Sequence, residues 1–119
     1  MATAARRFVE ALLGGRASEV AALCAPTFSF DGRTEKGADA IRVRWAEALA
    51  EPGPERATLL DLAVAPAADA QARLGRPPKR IAPLLLPGTW VAVANVSGRA
   101  VVVVFGRQGG GWAATGLHD

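Results

Sequence analysis

The 119-residue chain has no tyrosine, one cysteine and one histidine. Cys24 alone allows no internal disulfide, which points to a reducing compartment and a cytoplasmic protein. A single His and a single Cys cannot make a metal-ligand set by spacing, so neither metal nor cofactor is expected. No apolar run approaches the roughly 20 residues that span a bilayer. Arg6 and Arg7 are not followed by the uncharged core of a secretory signal, and no membrane partner is expected. Lysine is also scarce: of 14 basic residues only Lys36 and Lys79 are lysines. No basic run exceeds two residues and no nucleic-acid signature is present, so the net charge of +3 is not read as a nucleic-acid footprint.

What is present is concentrated in the last third. Val101–Val104 is a run of four β-branched residues, which favour a pleated strand over a helix. Ser97-Gly98 separates it from a second such run, a two-residue hairpin signal. Three antiparallel strands are therefore expected: Trp90–Ser97, Arg99–Gly106 and Trp112–His118. Pairing across Ser97-Gly98 sets Ala94 opposite Val101, Ala92 opposite Val103 and Trp90 opposite Phe105. The glycine-rich loop 106–111 then brings Phe105 opposite Trp112. Strict alternation puts Trp90, Phe105, Trp112, Ala92, Ala94, Ala114, Gly116, Arg99 and His118 on one face. Val91, Val93, Asn95, Val102, Val104, Thr115 and Leu117 take the other. Both faces are largely apolar, so either two layers cover the sheet or one face meets a partner.

The preceding residues read as cover. Residues 3–13 carry a helical apolar stripe including Ala5, Phe8, Val9 and Leu12, ended by Gly14-Gly15. Ser18 is a candidate cap for a short second helix bearing Val20, Leu23 and Cys24, stopped by Pro26. Thr27–Asp31 is a short strand, Asp31-Gly32 a tight turn and Arg33–Lys36 the return. A third helix, capped by Asp39 and striped by Ile41, Trp45, Ala48 and Leu49, runs to Ala50 before Glu51-Pro52-Gly53-Pro54. Arg56–Ala65 is the next strand, with Leu60, Leu62 and Val64 on one face. Ala67–Leu74 is helix-like and closed by Gly75. Arg76-Pro77-Pro78-Lys79-Arg80 reads as a solvated basic loop, and residues 66–88 as an inserted lid or flank.

The order of these elements resembles the nuclear transport factor 2-like superfamily, a cone-shaped α+β fold that includes SnoaL-like and ketosteroid isomerase-like proteins. The residues that carry it are Phe8–Leu13, Phe28-Ser29-Phe30-Asp31-Gly32, Gly37 with Ala40-Ile41 and Trp45, and Gly111-Trp112 to Gly116-Leu117. The resemblance implies one domain over residues 1–119. Three N-terminal helices would pack on a curved, mainly antiparallel sheet of about six strands, with a pocket between them. It also implies a homodimer through the other sheet face, which the flatter valine face suits; the opposite assignment would put Asn95 and Thr115 in the pocket.

The resemblance makes Asp31 a candidate general base, with the bland alternative that Asp31-Gly32 only turns the chain. A carboxylate in an apolar pocket can shuttle protons. His118 is a candidate acid–base partner. The Tyr donor of isomerase members has no counterpart in this chain. Trp45, Trp90 and Trp112 are candidates to line an apolar cavity, or are simply core. Cys24 reads as packing. Three functions follow: a binder of an apolar small molecule, an isomerase-, cyclase- or dehydratase-type enzyme using Asp31 with or without His118, or an interaction module with no ligand.

Overall fold

The computed structural model describes residues 1–50 and 59–118. The expected helix stop at Glu51-Pro52-Gly53-Pro54 and the start of the strand at Arg56 lie outside those residues. The described residues form four α-helices: α1 (Ala2–Leu13), α2 (Ala17–Ala22), α3 (Ala38–Ala50) and α4 (Ala67–Leu74). The strands are β1 (Cys24–Phe30), β2 (Arg33–Lys36), β3 (Leu59–Pro66), β4 (Trp90–Val96), β5 (Arg99–Gln108) and β6 (Gly111–His118). They form one sheet in the order β2-β1-β6-β5-β4-β3. Every pairing is antiparallel except β1 with β6.

Two hairpins follow from two dipeptides. Asp31 (φ 52°) and Gly32 (φ 93°) both take positive φ, as do Ser97 (52°) and Gly98 (89°). That is the mirror-image turn whose twist suits adjacent strands, and Asp and Gly tolerate it best. The second turn sets the β4–β5 register as expected: Trp90 with Phe105, Ala92 with Val103, Ala94 with Val101. It is reinforced by the Gly98 N–H, which donates to Asn95 Oδ1 at 2.9 Å.

Other local expectations shift. Helix α2 begins at Ala17, with Arg16 rather than Ser18 as its cap. Arg16 Nε reaches Glu19 Oε2 at 3.1 Å, a charge pair that favours the helix start. Cys24 opens β1 instead of closing α2. Strand β5 runs on to Gln108, so the connection shrinks to Gly109-Gly110 and Arg107, not Phe105, stands opposite Trp112. A register shift at Leu59/Asp61 leaves Leu59, Leu62 and Val64 in the core and Leu60 exposed.

The largest departure is in β6. Val104 pairs with Gly116 but Phe105 with Ala114, so Thr115 is an extra residue. Such a bulge breaks alternation. Leu117 therefore joins the helix-side core, while Gly116 abuts Leu84 on the other side. His118 pairs with Val102, a valine-face residue. Strict alternation had put His118 and Gly116 on the helix face and Leu117 opposite.

The sheet separates two apolar cores. The larger joins Ala5, Phe8 and Val9 of α1, Val20 of α2, and Ile41 and Trp45 of α3 to Ala92, Ala94, Val103, Phe105 and Ala114. Alanines on the strands let the helices approach closely, and Phe8 fills the centre, edge-on to Trp45 and Phe105 with ring centroids at 6.1 and 5.9 Å. The smaller core sets Val91, Val102 and Val104 under Ala70, Ile81, Leu84 and Leu85. The valine face was expected to meet a second subunit. Instead the chain's own residues from α4 and the following segment cover it, and Val104 is fully buried in the monomer.

Candidate functional site

A pocket of about 360 Å³ opens between α1, α3 and the sheet. Its apolar wall is Leu12, Phe30, Trp45, Leu49, Val101 and Leu117. Phe30 and Val101 reach it by strand alternation, Trp45 and Leu49 by the helical repeat of α3, and Leu117 through the bulge. The polar lining is Asp31 and Arg44. Arg44 lies over the Phe30 ring, 5.7 Å from its centroid, and 3.8 Å from Glu47. A larger groove of about 510 Å³ lies on the opposite face, where Thr27, Ser29 and Thr34 face Pro83, Leu84 and Pro87.

Asp31 stands at the rim of the helix-side pocket. Its turn places it against the end of β6, where its N–H donates to Leu117 O at 2.9 Å. The carboxylate is shared: His118 Nδ1 meets Oδ1, and Arg80 Nη1 donates to Oδ2 at 2.9 Å. Arg80 Nη1 also donates to the Asp31 carbonyl at 3.2 Å. Asp31 and His118 thus come together from turn and strand, the His118 side chain partly sheltered from solvent and that of Asp31 more exposed. With an ionised carboxylate at Nδ1, the neutral ring carries its proton there and keeps Nε2 as an acceptor. Such a ring can take a proton at Nε2 while the carboxylate holds its orientation.

The three tryptophans part company. Trp45 is buried and lines the pocket, next to Phe28 and Phe30. Trp90 and Trp112 pack edge to face at 6.2 Å, with the Arg107 guanidinium 5.0 Å over the Trp112 ring. Neither is in the lining of the pocket that holds Asp31. The Cys24 thiol donates to Val20 O at 3.3 Å. Burial pushes its pKa up to about 12, against a smaller opposing pull from the Trp45 indole. That indole nitrogen is itself buried without a well-aligned acceptor, so its contact with sulfur is a weak one. A thiol so placed packs rather than reacts.

Arg80 was hidden in the sequence, one cation in a basic loop 49 residues from its partner. No spacing rule links it to Asp31. Leu117 was hidden by the bulge. Among the described residues no group of three His, Cys, Asp or Glu side chains could hold a metal ion, and no helix is long and apolar enough to cross a membrane.

A mixed, curved sheet with three helices on one face and a pocket between the layers defines a cone-shaped α+β fold. It is the nuclear transport factor 2-like fold. The chain is similar in structure to a nuclear transport factor 2-like protein of unknown function from Pseudomonas putida (TM-score 0.56, 16% identity, covering 98% of this chain and 80% of that one). A candidate dehydratase of the nuclear transport factor 2-like family from Streptomyces avermitilis gives a TM-score of 0.57 at 18% identity, covering 98% and 89%. Aln2 from a Streptomyces species gives 0.55 at 16% identity, covering 98% and 83%. No protein-family model matches the sequence. No curated protein matches it either.

Proposed function

We propose that this domain binds a small, mainly apolar molecule in the pocket between α1, α3 and the sheet. The supporting observation is the pocket itself: about 360 Å³, walled by Leu12, Phe30, Trp45, Leu49, Val101 and Leu117, with polar groups only at Asp31 and Arg44. Volumes of roughly 300–1,000 Å³ with few polar groups are typical of small-molecule sites. A neutral aromatic ketone, α-tetralone, is a suitable probe. With Trp90→Phe and Trp112→Phe in place, Trp45 reports alone. Saturable quenching of its emission, lost in Ala48→Phe, where an exposed lining residue is enlarged, is the expected result. Quenching that fails to saturate, or survives Ala48→Phe, overturns the reading.

One observation favours a second reading, acid–base catalysis: Asp31, which lines the pocket, is paired with His118, which stands behind it and outside the lining. Both Asp31 oxygens are engaged, so in this reading the carboxylate orients and His118 Nε2 moves the proton. The structural likeness to a candidate dehydratase is compatible with such chemistry but shows fold alone. Deuterium uptake beside the carbonyl of α-tetralone tests it. His118→Gln should slow uptake about 100-fold, the low end for a general base. Equal uptake in parent and variant excludes it.

A further inference from the structure

We propose that Arg80 is a positioning residue for His118, acting through Asp31, and that the segment covering the valine face thereby sets the state of the Asp31–His118 pair, of which Asp31 lines the other pocket. The idea that this pair moves protons rests on the second reading above. The coupling itself does not.

Three observations carry it. First, Arg80 Nη1 makes two hydrogen bonds to one residue, 2.9 Å to Asp31 Oδ2 and 3.2 Å to the Asp31 carbonyl. One guanidinium nitrogen shared between the Asp31 side chain and its own backbone ties the carboxylate to the turn and holds a positive charge beside it. Second, the Arg80 stem lies on the turn glycine. A Cβ at Gly32 would stand 3.3 Å from Arg80 Cδ and 3.4 Å from Cγ, tighter than ordinary contact. Gly32 thus serves both the turn and the close seat of the stem. Third, the other carboxylate oxygen goes to His118 Nδ1. Arg80 and His118 therefore divide one carboxylate, and what orients it for one orients it for the other. Among the described residues the titratable groups paired with this carboxylate are those two.

Arg80 belongs to the cover. It precedes Ile81, which is buried in the smaller core with Leu84 and Leu85 close behind. Docking of that segment on the valine strands delivers the guanidinium around the end of the sheet. The two layers, otherwise separated by the strands, meet at Asp31.

The tautomer of His118 reads this directly. With the carboxylate held, the neutral ring carries its proton on Nδ1. With the carboxylate loose, the ring relaxes toward the mixture of a solvated imidazole. Two-bond proton–nitrogen correlation spectra distinguish the forms, recorded at about pH 8, above the usual protonation range of histidine. The parent should show the Nδ1–H form as the main species. Arg80→Gln should shift the ring toward Nε2–H, and Arg80→Lys should restore part of the parent signature. Lys79→Gln, which removes the neighbouring charge, should leave it unchanged. If deuterium uptake by α-tetralone is present, Arg80→Gln should lower its kcat by no more than about fivefold with KM unchanged, as expected of an exposed group that acts only through the reacting one. An unaltered tautomer in Arg80→Gln, or an equal change in Lys79→Gln, overturns the proposal. Absence of uptake in the parent sinks the acid–base reading alone, because the tautomer is read without turnover.

Discussion

Leu84 Cδ1 occupies the space that a side chain at position 116 would need. A Cβ built on Gly116 would overlap that methyl and come within 3.2 Å of Ser29 Cβ. The contact ties the cover to the sheet at the point where the bulge has turned Gly116 outward.

Gly116→Ala is therefore expected to loosen the cover rather than the helix side. The overlap is with the end of a flexible side chain, so the cost should fall in the lower part of the overpacking range, about 1–2 kcal/mol. Leu84→Ala in the same chain should recover much of it. Urea unfolding of the four members of the cycle measures the coupling, and additive effects would show that the two residues do not interact.

Phe8→Ala should be far more damaging. Phe8 is fully buried and touches both Trp45 and Phe105. Truncating such a ring costs about 3–5 kcal/mol, a large share of the roughly 5–15 kcal/mol that holds a domain together. The measurement is the denaturant midpoint. A loss under 1 kcal/mol, about what a conservative core swap costs, would mean that the large core repacks around the gap.

Cys24 gives the domain an alkaline sensitivity. Its folded pKa stands at about 12 against an ordinary value of 9.0. The folded state holds the thiol proton more tightly, so this contribution is complete below the unfolded value and is lost as pH rises from there through the folded one. Stability should fall across that window, and Cys24→Ala should flatten the fall. In the native state the thiol should also resist alkylation at neutral pH and react only on unfolding. Rapid native labelling would contradict the burial.

Asp31 tests turn and site separately. Asn tolerates the positive φ of position 31, so Asp31→Asn should keep the hairpin while removing the charge that Arg80 and His118 share. Asp31→Val should also strain the backbone and cost more. Because Asp31 and Arg80 are both substantially exposed, their coupling in a double-mutant cycle should not exceed about 1 kcal/mol. A larger coupling would mean that the pair is shielded from solvent.

How much of this was legible can be argued from the same residues. The helices, both mirror-image turns and the β4–β5 register follow from short-range signals: apolar periodicity, Asp31-Gly32, Ser97-Gly98 and the valine run. The faces of β6 do not, because the extra residue at Thr115 leaves no local mark and inverts everything after it. Asp31 and His118 could be singled out by residue type, but on strict alternation His118 belonged to the wrong face. Arg80 could not be singled out at all. Its role depends on a segment whose docking is decided by Ile81, Leu84 and Leu85 against valines far off in the chain.

The parallel pairing of β1 with β6 has a consequence for how the molecule assembles. A nascent chain emits β1 and β2 early, and the hairpin between them can close at once. Its inner edge then stays unpaired until β6 appears, since Phe30 waits for Leu117. Loop closure over such a distance is entropically costly and slow, and an unpaired edge is a template for the wrong neighbour. The last strand therefore acts as a timer on the first, and an early ribosomal product of this chain should depend on chaperones in a way that the finished domain does not.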